Sequence, residues 1–267
     1  MNKIIPQEII VPIFEKTHSV NATAKELKIS WSTCKRILDE YKIKTEPKSG
    51  TNDTLNHFST ISTPEDAYWL GIMYTDGWIR SDRNEIGLGS RDLDLIEKFK
   101  HYIGKDNKIT VKLAENQIGR PLPEGRTVKT AHDFYTYTFS SKTVKNNLIK
   151  LGCFPAKSKI LQCPTKEQVP DELLWHFYRG CVDGDGWIST NHKSTGLLGA
   201  QHFLEVLLTR LSILHYGTLH KKQNSDIWEF YITKVDLIKK VLNKQYENAT
   251  VYMERKYKKY LFISNRA

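Results

Sequence analysis

Two aspartates, Asp76 and Asp185, stand at the same place in two segments of matching pattern. The first runs Trp69-Leu-Gly-Ile-Met-Tyr-Thr-Asp-Gly-Trp-Ile79, the second Tyr178-Arg-Gly-Cys-Val-Asp-Gly-Asp-Gly-Trp-Ile188. Gly71, Asp76, Gly77, Trp78 and Ile79 coincide with Gly180, Asp185, Gly186, Trp187 and Ile188. Asp-Gly alone is a common turn dipeptide. Repeated with its flanking residues at constant offset, it implies two similar half-domains that each need an acid at one place. The chemistry open to such a pair is cation binding.

Each copy reads as the last turns of an apolar helix, a glycine and the start of a strand. Thr63-Pro64-Glu65-Asp66 supplies an N-cap hydroxyl, a first-position proline and acids in the first turn. Pro170-Asp171-Glu172 stands correspondingly before the second copy. Gly77 and Gly186 are expected to close the helices in left-handed conformation. Glycine inside a helix costs about 1 kcal/mol against alanine, so Gly71 and Gly180 predict close contact between two helix backbones. The aspartates face the negative end of a helix dipole, an arrangement that a divalent cation would reverse.

Over Trp69–Gly77 and Tyr178–Gly186 the chain resembles the LAGLIDADG homing endonucleases. That resemblance implies an α+β fold, a pseudo-twofold duplicated αββαββα domain with saddle-shaped antiparallel sheets and the two motif helices packed at its centre. It implies that Asp76 and Asp185, beside the backbone of Gly77 and Gly186, bind Mg2+, with Mn2+ as a substitute. It further implies a monomer that hydrolyses both strands of double-stranded DNA across the minor groove. The first copy departs from the pattern by carrying Tyr74 where the second has Asp183. Family members place a basic residue near the attacking water late in each half. Lys157 and Lys256 are the candidates, with Lys159 and Arg255 as competitors, and Gln201 or Ser90 could order water.

The repeat extends beyond the motifs. Glu85–Phe99 and Gly196–Leu208 each read as a strand feeding a helix, and two further alternating strands follow in each half: Lys108–Leu113 and Phe134–Phe139, then Tyr216–Lys221 and Ile227–Ile232. Helices over Lys145–Leu151 and Leu237–Leu242 precede basic segments at Ala156–Lys159 and Glu254–Lys259. The halves are assigned to residues 63–166 and 167–267. Arg80, Arg83, Thr136, Thr138, His220 and Lys222 are candidate DNA contacts on this plan.

Residues 1–45 read as a separate all-α module, with a first helix over Pro6–His18 and a helix, turn and helix over Asn21–Tyr41. This resembles the helix-turn-helix of recombinases and regulators. In that motif the second helix enters the major groove, so Trp31, Ser32, Thr33, Lys35 and Arg36 are the candidate contacts. Residues 46–62 turn polar and read as a flexible linker.

Forty Lys and Arg against thirty Asp and Glu leave a net charge of +10 across 267 residues, a balance that suits a polyanionic partner. The four cysteines, Cys34, Cys153, Cys163 and Cys181, form no Cys-x-x-Cys. They are expected to be reduced, with a zinc site through Cys153, Cys163 and a histidine the open alternative. No signal peptide or membrane span is legible, which places the expected activity in the cytoplasm of a bacterial or phage-infected cell. The alternative to a nuclease is an intron RNA maturase, or a DNA-binding regulator of the same fold without cleavage.

Overall fold

The computed structural model describes residues 5–17, 19–43, 45, 55–121, 127–155, 161–191 and 193–265. Lys157, Lys159 and the Pro47–Thr54 part of the expected linker lie outside the described residues. The chain divides into two compact units, Met1–Thr54 and Leu55–Ala267.

The smaller unit holds α1 (Gln7–Thr17), α2 (Val20–Glu26) and α3 (Trp31–Glu40). Ser19 and Ser30 cap α2 and α3 by accepting the N–H of Ala22 and Thr33 at 3.3 and 3.1 Å. Ile10, Phe14, Cys34, Ile37 and Leu38 are buried, with Leu27 and Ile29 packed against them. On α3, Lys35 and Arg36 pair one turn on with Asp39 and Glu40.

The larger unit is an α+β fold built from one αββαββα pattern used twice. The first half contains α4 (Pro64–Thr75), β1 (Gly77–Ile79), β2 (Glu85–Ser90), α5 (Leu93–Ile103), β3 (Thr110–Lys112), β4 (Phe134–Ser140) and α6 (Lys142–Lys150). A short 3-10 turn, Asp171–Leu173, leads into the second. There follow α7 (Leu174–Asp185), β5 (Gly186–Ser189), β6 (Ser194–Gly199), α8 (Gln201–Arg210), β7 (Thr218–Lys221), β8 (Trp228–Ile232) and α9 (Val235–Tyr246), with α10 (Glu254–Ser264) added at the end. Each half forms a four-stranded antiparallel sheet, ordered β1-β2-β4-β3 and β5-β6-β8-β7. The two registers agree, since Gly77 faces Leu88 as Gly186 faces Leu197.

At the centre α4 packs against α7 through their glycines. A Cβ on Gly71 would lie 2.2 Å from the carbonyl oxygen of Phe177, and one on Gly180 would lie 2.1 Å from that of Tyr68. No side chain fits between the helices there. The start of α4 is a capping box: Thr63 Oγ1 accepts the Asp66 N–H at 3.1 Å, and the Asp66 carboxylate accepts the Thr63 N–H at 3.1 Å.

Three expectations need correction. Gly77 and Gly186 are not left-handed; Gly77 opens β1, and Gly186 is extended at φ −105°, ψ −175°. Space requires glycine at both positions, because a Cβ would fall 2.5 Å from Met73 Sδ at Gly77 and 2.5 Å from the Gly196 carbonyl at Gly186. The basic run from Glu254 is the start of a helix, α10, whose Tyr257 and Tyr260 stack on Tyr252 and Tyr246. Phe58 and Ile61, inside the stretch read as a linker, are buried in the core of the larger unit.

Candidate metal and nucleic-acid site

Asp76 is the residue that ends α4, in right-handed conformation with its N–H donating to the Ile72 carbonyl. Asp185 is the last residue of α7. Because the helices cross at Gly71 and Gly180, their C-terminal ends stay together, and a Cβ on Gly184 would strike the Thr75 side chain at 1.9 Å. Asp76 is half-buried and Asp185 is exposed. A cavity of about 680 Å³ opens at this junction; Asp76 lines it, together with Gly184 and Gly186 on either side of Asp185.

Lys256, near the start of α10, is buried behind the same turn. Its ammonium donates to the carbonyls of Val182, Asp183 and Gly186 at 2.5, 2.6 and 2.8 Å. All three of its N–H groups are thereby engaged with the end of α7, where the Val182 carbonyl also accepts the Gly186 N–H. Burial pushes the Lys256 pKa down to about 8; Asp183 and Asp76 act in the opposite direction, and Arg255 adds to the lowering. The Asp76 field reaches this amine, which itself rests on the carbonyl next to Asp185. Asp76 and Lys256 line one cavity with Gly184 and Gly186, the chain neighbours of Asp185.

The departure at Tyr74 has a structural account. Asp183 is buried, and its Oδ2 accepts from Tyr68 OH at 2.9 Å and from the Met253 N–H at 2.8 Å. Burial raises its pKa, opposed by Lys256, the Met253 amide and the Tyr68 hydroxyl. At the matching position of the first half, Tyr74 OH donates to the Leu151 carbonyl. Both side chains tie a motif helix to the chain leaving the last helix of its own half, with donor and acceptor exchanged.

Of the remaining candidates, Ser90 ends β2, is buried, lines the cavity and accepts the Asp92 N–H at 3.1 Å. Gln201 begins α8, is exposed, donates to Glu205 at 2.8 Å and is not among the residues lining the cavity. The counterpart of Gln201 in the first half is Asp92 rather than Ser90, since 92 − 76 and 201 − 185 both equal 16. Asp92 lines the cavity and receives a bidentate pair from Arg255, both contacts at 3.0 Å. The Arg255 guanidinium holds the Asp92 carboxyl below its usual range despite partial burial. This pair, with Lys98 to Glu254 at 2.9 Å, joins the first half to α10. Sequence reasoning missed Asp92; the equal spacing was the available signal.

The candidate DNA contacts divide between strands and the turns that join them. Arg80 and Arg83 lie in the β1–β2 turn, held near Asp82 and Glu85 at 3.2 Å each. Thr136 and Thr138 alternate on β4 with the buried Tyr137 and Phe139. His220 lies on β7, 3.5 Å from Glu229, and Lys222 follows that strand. In the smaller unit, Trp31, Ser32, Thr33, Lys35 and Arg36 make up the first turns of α3. The four cysteines are free thiols. Among the described residues no group of three or more His, Cys, Asp or Glu is placed to hold a metal ion. Asp76 and Asp185 are the carboxylates that could hold a cation at the helix junction. Among the described residues no helix is long and apolar enough to cross a membrane.

No protein-family model and no characterised protein sequence matches the chain. Solved structures of similar fold include I-SmaMI bound to uncleaved DNA in the presence of calcium ions, at 12% identity and TM-score 0.47, covering 76% of this chain and 91% of that one. The LAGLIDADG meganuclease I-AabMI bound to uncleaved DNA is similar at 13% identity and TM-score 0.44, covering 76% and 90%. Full-length DUF199/WhiA from Thermatoga maritima is similar at 11% identity and TM-score 0.46, covering 78% and 63%.

Proposed function

We propose that the chain is a LAGLIDADG-type endonuclease that hydrolyses both strands of a specific duplex DNA with Mg2+ held by Asp76 and Asp185. The observation that carries the reading is the duplicated Asp-Gly set at the adjoining C-terminal ends of two glycine-packed helices. One acid from each half at a pseudo-twofold centre matches a substrate whose two strands are themselves related by a twofold. Mg2+ so held would polarise the phosphate and favour a nucleophilic water at neutral pH.

The chain's own residues position and balance charge. Asp76 and Asp185 supply the negative charge, with the backbone of Gly77 and Gly186 beside them. Lys256 fixes the turn after Asp185 from behind and adds one positive charge. Lys157 is proposed as its counterpart in the first half, and Gln201 and Ser90 as polar groups beside the strand ends. The open sheet faces, with Arg80, Arg83, Thr136, Thr138, His220 and Lys222, would take the flanking duplex. Trp31, Ser32, Thr33, Lys35 and Arg36 on α3 would read a second site, adding affinity through tethering.

The test is incubation of the protein with Mg2+ and a plasmid library of randomised inserts, alongside Asp76→Asn and Asp185→Asn. Linear product from the native protein alone, with each variant down at least about a hundredfold, supports the reading. Tight binding of intron RNA with no cutting would support a maturase, and cutting by both variants would contradict the assignment. Calcium in place of magnesium should permit binding and block cutting.

A further inference from the structure

The metal chemistry leaves one repeated residue unused: the tryptophan two positions after each acid. On β1, Gly77 and Ile79 are buried toward the core while Trp78 is partly exposed, so its indole lies on the open face of the sheet. Trp78 stands directly opposite Gly87, and Trp187 directly opposite Gly196. A Cβ on Gly87 would lie 2.1 Å from the Trp78 ring, and one on Gly196 would lie 2.3 Å from the Trp187 ring. Each indole therefore occupies the space that a side chain on the facing glycine of the neighbouring strand would need. Phe134, 41% exposed, covers Gly89 in the same way at 2.7 Å.

Flat rings over strand glycines shield backbone, and one such pair would count as sheet stabilisation. Two features go beyond that role. The arrangement recurs at the same offset from both acids, and Trp187 and Phe134, though not Trp78, line the cavity that Asp76 lines. Arg91 and Lys259 line that cavity too, beside the Arg255–Asp92 pair, so the rings lie near cations as well as near the acids. A surface of that kind suits a ligand with apolar sugar faces and anionic phosphates.

Building on the nuclease reading above, we infer that Trp78 and Trp187, one on each sheet two residues after its acid, are matched aromatic contacts against which the deoxyriboses of the two DNA strands pack. Both are positioning residues: they fix the height of each backbone over the carboxylates and take no part in bond breaking. Packing on sugar is independent of base identity, so the contribution is expected on duplexes of any sequence.

The experiment is titration of a fluorescently labelled duplex of arbitrary sequence with the full chain, at low salt in Ca2+, using the native protein, Trp78→Leu, Trp187→Leu and the Phe variants at both positions. Each Leu variant should bind about tenfold more weakly, with an unchanged far-ultraviolet circular dichroism spectrum, while each Phe variant stays near native because a flat ring remains. Leu variants that lose thermal stability yet bind as the native protein does would overturn the inference and leave the nuclease reading standing. Equal losses for Phe and Leu would overturn it as well, since a flat ring would then be irrelevant. A native protein with no affinity for any duplex would overturn the DNA reading and this inference together.

Discussion

At the scale of single residues, the acid pair and the lysine behind it make separable predictions. Lys256 spends every N–H on backbone carbonyls at the end of α7. Lys256→Met should remove the ammonium donor from the Asp183 and Gly186 carbonyls while Val182 keeps the Gly186 N–H, costing about 1–3 kcal/mol; chemical denaturation would measure it, and an unchanged midpoint would refute the role. His176 gives a pH prediction. Burial first, and Arg179 second, hold its pKa down at about 4, and its Nδ1 accepts from Arg179 at 2.8 Å. The unfolded imidazole takes up a proton near its usual value of 6.5, which the folded one refuses until about 4. Stability from neutral His176 is thus complete above pH 6.5 and lost progressively as pH falls toward 4. His176→Gln, which keeps an acceptor for Arg179, should flatten the melting-temperature profile in that window; an equal slope would refute it. Asp76 and Asp185 were legible because their signal is a local, repeated pattern. The Asp92–Arg255 pair was not, because its partners lie in different halves and meet only after tertiary packing.

At the scale of elements, the glycine contact between α4 and α7 sets the position of both acids. Gly180→Ala places a methyl 2.1 Å from the Tyr68 carbonyl and 3.0 Å from the Gly71 Cα. Neither backbone can yield without moving a helix, so the cost should be about 3 kcal/mol or more. Since displacement of α7 carries Asp185 with it, activity should fall further than the folded fraction does. Activity that simply tracks the folded fraction would show that the crossing does not position the acids. Most of these elements were legible, because alternation in β4 and β8 and the cap at Thr63 are short-range signals. Helix α10 was not: its charged run hides an apolar side whose partners, Tyr246 and Tyr252, are set by the fold. The glycines after the acids were misread for a similar reason. Their place after a helix suggested a left-handed closing residue, while the need for glycine comes from Met73 and from the Gly196 carbonyl on another strand.

At the scale of the molecule, a net charge of +10 suits a polyanionic partner, and the chain divides into two compact units. The larger unit has a continuous core of its own, which includes Phe58 and Ile61. Deleting residues 1–54 should therefore leave it folded and able to cut, with affinity for the target lower by roughly a hundredfold through lost tethering. Filter binding on the selected target would show this, and undiminished affinity would remove the smaller unit from DNA recognition. The central claim remains that Asp76 and Asp185 hold one cation centre together. Electron paramagnetic resonance of Mn2+ titrated into the protein–DNA complex tests it most directly, by counting bound ions. The account predicts ions bound by the native complex and much weaker binding in Asp76→Asn and in Asp185→Asn; equal Mn2+ binding by all three proteins would contradict it.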